Sequence, residues 1–409
     1  MGYQNSIFFV PVHLGNYRAF LQALSASPRW EEIPRQEITP RYLLSYARQI
    51  AQDSTLYSAF RVSSPEKLQL HMFPSKASFS SQPEILDVRF SCFATDIGFM
   101  EFWIRYPEAD ATAIANFAYH FKRACSEQEA DKLSLYDTVR LLIPAQTAAV
   151  PFFTANADFK KECLCFHYLC CEAADIDREQ LRQDLFRLRR SYSTHFPVDG
   201  ELGDYDMVYA PYPRDHWSGC PEGMVNIAFS QPDESPRSFL SCYKQDHLQI
   251  DYYFAYLLLL NQRFSAISYV QMVAQMTDPT TESLDALNRR IVDLKTKFAF
   301  HVISDDRIVQ NVYAKMAKVL DINHLLEDLQ DNENQIEILQ NARSAQVEKR
   351  TGQFLAALSG LSLFSALIDA ASYFDRIQWL QPIATALSAG LTVVVAGSCL
   401  YWIFRKRKK

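Results

Sequence analysis

Glycine is scarce in this chain of 409 residues, with 11 in all. A fold built from many tight turns needs more, so long helices are favoured over an all-β architecture. A disulfide framework is also missing. The nine cysteines (92, 125, 163, 165, 170, 171, 220, 242 and 399) are odd in number and irregular in spacing, which points to reduced thiols. Gly-x-Ser-x-Gly, Gly-x-x-x-x-Gly-Lys-Ser/Thr and His-Glu-x-x-His are all absent. Those absences remove the sequence signatures of nucleophile-elbow hydrolases, P-loop NTPases and zinc peptidases. No signal peptide is expected, because residues 1–6 are polar and the apolar run 7–12 is short. The opening MGYQNS fits the loose N-myristoylation pattern through Gly2 and Ser6. Basic charge is thin outside the C-terminus. The formal net charge is −6, yet residues 405–409 are all Lys or Arg, so the body is more acidic than the total. An acidic body argues against nucleic-acid binding.

What is present divides into three stretches. Residues 1–245 read as an α+β (α/β) cytoplasmic domain. Residues 7–12 form a first strand, and 41–51 has helical spacing. Residues 68–73 alternate as a strand, and 85–94 with 99–106 make a hairpin about Thr95-Asp96-Ile97-Gly98. Helices are expected at 109–127 and 176–192, and strands at 163–171 and 225–229. Much of 193–245, with its many Pro and Gly, reads as loop.

Residues 246–350 read as a helical stalk. Residues 247–276 form one helix whose apolar run 252–260 is too short to span a bilayer, so it is a core helix. From 280 to 351 there is neither Gly nor Pro. Leu284, Leu287, Ile291, Leu294 and Phe298 share one helical face. A break with a new helix cap is expected at Ser304-Asp305-Asp306, after which a helix over 306–373 would be on the order of 100 Å long.

Residues 351–409 read as a two-span transmembrane hairpin with a basic tail. Residues 382–404 carry no charge and as a helix would be about 34 Å long. Trp402, Arg405, Lys406 and Arg407 would anchor this span at the cytoplasmic interface. A first span over 354–374 precedes it. The plainer alternative is a tail anchor made of 382–404 alone. The hairpin implies a multi-pass protein of the cell inner membrane, with the lipid bilayer as a partner and both termini cytoplasmic.

Several residue groups carry candidate chemistry. Ser362, Ser365, Asp369 and Ser372 are spaced 3, 4 and 3 apart and so share one helix face. They either line a pore or serve helix packing. Two spans cannot enclose a channel, so a pore would need an oligomer. Tyr373 and Asp375 would lie at its outer mouth. Glu327, Asp328 and Asp331 either gather a divalent cation such as magnesium or form a solvated helix face. Cys163, Cys165, His167, Cys170 and Cys171 invite a zinc reading, against which stands a buried strand without Cys-x-x-Cys pairing. Asp204, Asp206, Asp215 and His216 lie in the loop-rich stretch and are either hydrolytic or surface groups. No cofactor is assigned with certainty.

The layout resembles the CorA-type magnesium transporters. The shared features are an N-terminal α/β domain, long helices leading into a first span, a short turn, a second span, and the ending Tyr401-Trp402-Ile403-Phe404 followed by basic residues. The resemblance implies a pentamer and passage of cations. The family's Gly-Met-Asn triplet is absent, with 372–377 reading SYFDRI in its place, so magnesium selectivity does not carry over. Two functions follow as expectations, neither of them enzymatic. One is a CorA-like oligomeric cation channel or transporter with a cytoplasmic regulatory domain. The other is a membrane-anchored sensor or effector, as in antiviral nucleotide signalling, whose cytoplasmic domain binds a small molecule, a nucleotide or a partner.

Overall fold

Strand β1 (Gln4–His13) is buried along almost its whole length, because helices cover both of its faces. Phe8 points to one side, where its ring lies 4.6 Å from Phe121, and Phe9 points to the other, 5.7 Å from Tyr256. An unbroken apolar run rather than strict alternation is what such a doubly covered strand requires. The computed structural model describes residues 3–65, 82–107, 109–123, 135–152, 163–198, 206–231, 233, 235, 238–276, 280–331, 333–336, 338, 341, 345, 348–349, 351–356 and 359.

The other strands are β2 (Trp30–Glu32), β3 (Tyr57–Val62), β4 (Glu84–Phe93), β5 (Ile97–Arg105), β6 (Val150–Pro151), β7 (Leu164–Glu172), β8 (Met207–Tyr212), β9 (Asp215–Cys220) and β10 (Gly223–Ser230). They form one 10-stranded mixed sheet in the order β2-β3-β4-β5-β1-β7-β10-β9-β8, with β6 pairing β1 off this path. The β7–β10 pair is parallel and the others are antiparallel. The helices are α1 (Tyr17–Ser25), α2 (Arg35–Ile38), α3 (Ser45–Gln52), α4 (Ala111–Arg123), α5 (Leu135–Leu142), α6 (Arg178–Arg190), α7 (239–275), α8 (Thr281–Lys297) and α9 (Arg307–Val319). Helices α4 and α6 cover the Phe8 face, while α7 covers the Phe9 face with α8 and α9 packed against it.

Helix α7 organises the second face. Residues 253–260 are buried on every side, as an all-round apolar helix in a core must be. It begins with π-helical turns at Phe239–Tyr243 and Leu248–Tyr252. Asp306 caps α9 by accepting from the N–H groups of Ile308 and Val309, where the sequence places a cap. A Cβ at Gly219 would come 2.2 Å from Met316 Sδ, so this glycine lets α9 lie directly on β9.

The α+β sheet domain therefore stands, but the membrane part of the expected fold is corrected. Among the described residues no helix is long and apolar enough to cross a membrane. That finding stands against the multi-pass inner-membrane placement and against the transmembrane and ion-transport readings drawn from it. The pore-lining set Ser362, Ser365, Asp369 and Ser372, the outer-mouth pair Tyr373 and Asp375, and the anchor Trp402, Arg405, Lys406 and Arg407 lie outside the described residues. So do the strand expected at 68–73 and nearly all of both expected spans. The stalk is corrected too. The chain divides into compact units Met1–Asn334 and Gln335–Lys409, so α7, α8 and α9 belong to the sheet domain. The face of Leu284, Leu287, Ile291, Leu294 and Phe298 is buried within that first unit. The helix expected over 306–373 is interrupted early: α9 stops at Val319, and Asp321 takes a left-handed φ of 57°.

Candidate functional site: an arginine cleft

Arg35, Arg41 and Arg48 line one open cleft of about 490 Å³, together with Gln36, Thr39 and Gln52. No acidic side chain lines it. The cleft forms because α2 and α3 flank the loop 39–44 on the Phe9 side of the sheet, near its β2–β3 edge. Arg35 is half structural: its guanidinium donates to the carbonyls of Tyr57 (2.7 Å) and Ala51 (3.2 Å), to Ser58 Oγ (3.0 Å) and to Glu32 (3.3 Å). Arg48 donates one bond, to the Leu43 carbonyl at 2.8 Å, and its buried Nε has no partner among the described residues. The Arg41 side chain is exposed and makes no hydrogen bond or salt bridge among the described residues. Cationic forks left open in this way match the geometry of a phosphate or carboxylate.

The loop that carries Arg41 is held from several sides. Asp251 on α7 accepts the backbone N–H of Arg41 at 2.8 Å and that of Tyr42 at 2.9 Å, both at Oδ1. Leu44 donates its N–H to the Ile303 carbonyl at 2.8 Å, and Ser304 Oγ donates to the Tyr42 carbonyl. The Tyr42 ring stacks on His247 at 4.3 Å yet stays 45% exposed. Desolvation raises the Asp251 carboxyl above its ordinary range, against the opposing effect of the two N–H bonds.

A second cleft, of about 330 Å³, lies between the start of α1, the β4–β5 turn and α8. Four of its five charged lining residues are already matched, Arg18 at the start of α1 being the exception. Arg290 pairs with Asp96 at 3.0 Å, Lys297 with Asp293 at 2.7 Å, and Asp96 also accepts the Tyr17 N–H at 2.7 Å. The Asp96 carboxylate thus sits where an anion would dock at the N-terminus of α1.

The residues singled out from sequence fall elsewhere. Glu327, Asp328 and Asp331 are exposed and helical. Among the described residues no group of three or more His, Cys, Asp or Glu side chains is placed to hold a metal ion. Cys163, Cys165 and Cys170 are buried on or beside β7, and Cys171 is partly exposed. His167 hydrogen-bonds Ser6 Oγ at 2.5 Å, and burial pushes its pKa down to about 3. Cys165 lies 3.3 Å from Ser191 Oγ, and burial pushes its thiol up to about 11. These are the marks of core packing. The acid cluster is split: Asp204 lies outside the described residues, and Asp206 and Asp215 are not surface groups. Asp206 is buried against Arg189 (3.0 Å) and Arg190 (3.1 Å). Asp215 is buried against Lys244 and Asn226, while His216 bonds the Pro213 carbonyl.

The sequence reading missed the arginine cleft. Its signal was present: arginines 29, 35, 41 and 48 recur within twenty residues of an otherwise acidic chain. No protein family, curated protein or solved structure matches this chain.

Proposed function

We propose that the protein is a ligand-binding sensor rather than an enzyme, and that its arginine cleft takes a phosphate-bearing small molecule of the nucleotide class. The observation that carries this reading is the convergence of Arg35, Arg41 and Arg48 on one acid-free cleft, with the Arg41 guanidinium unengaged. Tyr42, the next residue of the loop, lies outside the cleft lining with its ring stacked on His247, yet it stays 45% exposed; a base extending past the cleft would stack there for about 1–3 kcal/mol. The same arrangement speaks against catalysis. The buried titratable groups Glu101, Asp206, Asp215 and Lys244 are held in closed networks, and none of them lines the cleft.

Calorimetric titration of the full chain with ATP, AMP and inorganic pyrophosphate tests the proposal. Binding should weaken as salt is raised, because the cleft is open to solvent. Arg41→Ala should lose about tenfold or more in affinity, the order of one charge-assisted contact, with an unchanged unfolding midpoint. Absence of binding by all three compounds, or an Arg41→Ala variant that binds them as well as the wild type, sinks the reading.

A further inference from the structure

Asp251 stands 210 positions from Arg41 in sequence, on a different element, and its carboxylate is only 2% exposed. A buried carboxylate that reaches out of a core helix to two successive backbone N–H groups of a loop needs a reason. The second π-turn of α7 supplies the geometry. Its additional residue per turn widens the helix there. Asp251, Tyr252 and Tyr253 are consecutive, and all three are buried. Tyr252 lies against Trp217 on β9 at 4.6 Å, and Tyr253 against Trp103 on β5 at 5.0 Å, while Asp251 addresses the loop. The two carboxylate oxygens do different work. Oδ1 takes both loop N–H groups, and Oδ2 faces His247 Nδ1 at 3.7 Å.

We infer that Asp251 is the positioning residue of the arginine cleft: by fixing the backbone of Arg41 and Tyr42 to α7, it sets where the Arg41 guanidinium and the Tyr42 ring meet a ligand. This rests on the cleft being the ligand site. The residue touches no ligand itself and acts through the loop. A loop without this pin would leave the backbone of Arg41 and Tyr42 free to shift, and ordering it on binding would reduce affinity. The pin also makes the core helix of the second face the element that senses occupancy of the cleft, because the loop cannot shift without moving the Asp251 bonds.

Two substitutions separate the roles. Asp251→Ala removes both acceptors. Asp251→Asn keeps an acceptor oxygen at the Oδ1 position while removing the negative charge and placing an amide nitrogen toward His247. Hydrogen exchange on the full chain reads the pin directly: in Asp251→Ala the Arg41 and Tyr42 amides should exchange about tenfold faster or more, while Ile227 in the sheet centre keeps its protection. Asp251→Asn should restore most of that protection. Titration with ATP and pyrophosphate reads the consequence, with affinity about tenfold weaker in Asp251→Ala and near wild type in Asp251→Asn. If the wild type binds neither probe, the reading of the cleft as a ligand site falls. If the wild type binds and Asp251→Ala binds equally well, the positioning role alone is overturned. Unchanged exchange at Arg41 and Tyr42 in Asp251→Ala overturns it as well.

Discussion

Two groups of arginines in this molecule are built in opposite ways. At the end of α6, Arg189 and Arg190 converge on the buried Asp206, and Arg189 also donates to Ser218 Oγ at 2.9 Å. In the cleft, Arg41 and Arg48 converge on no acid. The first group is 3% and 27% exposed, and its charges must be met inside the protein because water cannot meet them. In the second, Arg41 faces solvent, where an unmatched guanidinium costs little and stays ready for an incoming anion. Charge alone therefore does not mark a binding site. What marks it is charge that the fold gathers into one cleft and leaves unmatched.

The largest effect expected from breaking this comparison is at the buried group. Asp206→Ala leaves Arg189 desolvated without its counter-charge, a loss on the order of 3–5 kcal/mol. Denaturant unfolding of the variant should show a sharply lowered midpoint. Wherever the variant is still folded, nucleotide affinity should match the wild type, since the α6 end lies apart from the cleft. A midpoint within error of the wild type would mean that the pair is not the strut described here.

A middle-sized effect is expected at Glu101, which is fully buried on β5. Its oxygens accept from the Tyr253 hydroxyl at 2.8 Å, and Oε2 also accepts from Trp103 Nε1 at 3.1 Å. Burial nevertheless raises its carboxyl above the ordinary range, outweighing those bonds. The folded chain then holds this proton more tightly than the unfolded chain does. Its contribution to stability is greatest at low pH and is lost as pH rises through the raised folded-state value. Glu101→Gln should flatten that fall in thermal unfolding curves recorded from about pH 4 to 8. An identical slope in the variant would show that other groups set the pH dependence.

How far the fold was legible in the sequence follows from what each pattern encodes. The β4–β5 hairpin reads directly, because both strands are rich in Phe, Trp, Ile and Val and meet at Asp96, which takes a left-handed φ of 63°. The core helix around 252–260 reads directly too, since a run of nine apolar residues is too short for a membrane span and sits within a longer stretch without Gly or Pro. Strands β8 and β9 were hidden by Pro211 and Pro213. Pro211 is tolerated there because β8 is the last strand of the sheet, where a missing donor costs nothing. The stalk reading failed for another reason. The apolar face of α8 says that something covers it, and a second copy and the chain's own core leave the same periodic trace. The arginine cleft lay in plain view as local residues 35–48. Its meaning depends on Asp251, and no local pattern encodes a contact across that distance.

The smallest effect is the one that tests the comparison most finely. Arg41→Lys keeps the cleft's charge and removes the planar fork. The Asp206 cluster needs forks, because its arginines reach Asp206 and Ser218 in fixed directions. If the cleft works only as a positive field, Arg41→Lys should bind pyrophosphate as the wild type does. If it grips a phosphate by paired N–H donors, the lysine should lose a few-fold in affinity, about 0.5–1 kcal/mol, at low salt and high salt alike. Stability should not move, because no partner of the Arg41 guanidinium is lost. We expect the few-fold loss, because a lysine ammonium is a point charge and cannot present the paired N–H donors of a guanidinium to one phosphate. Equal affinity at both salt concentrations would reduce the cleft to an electrostatic attraction and remove the geometric half of the comparison.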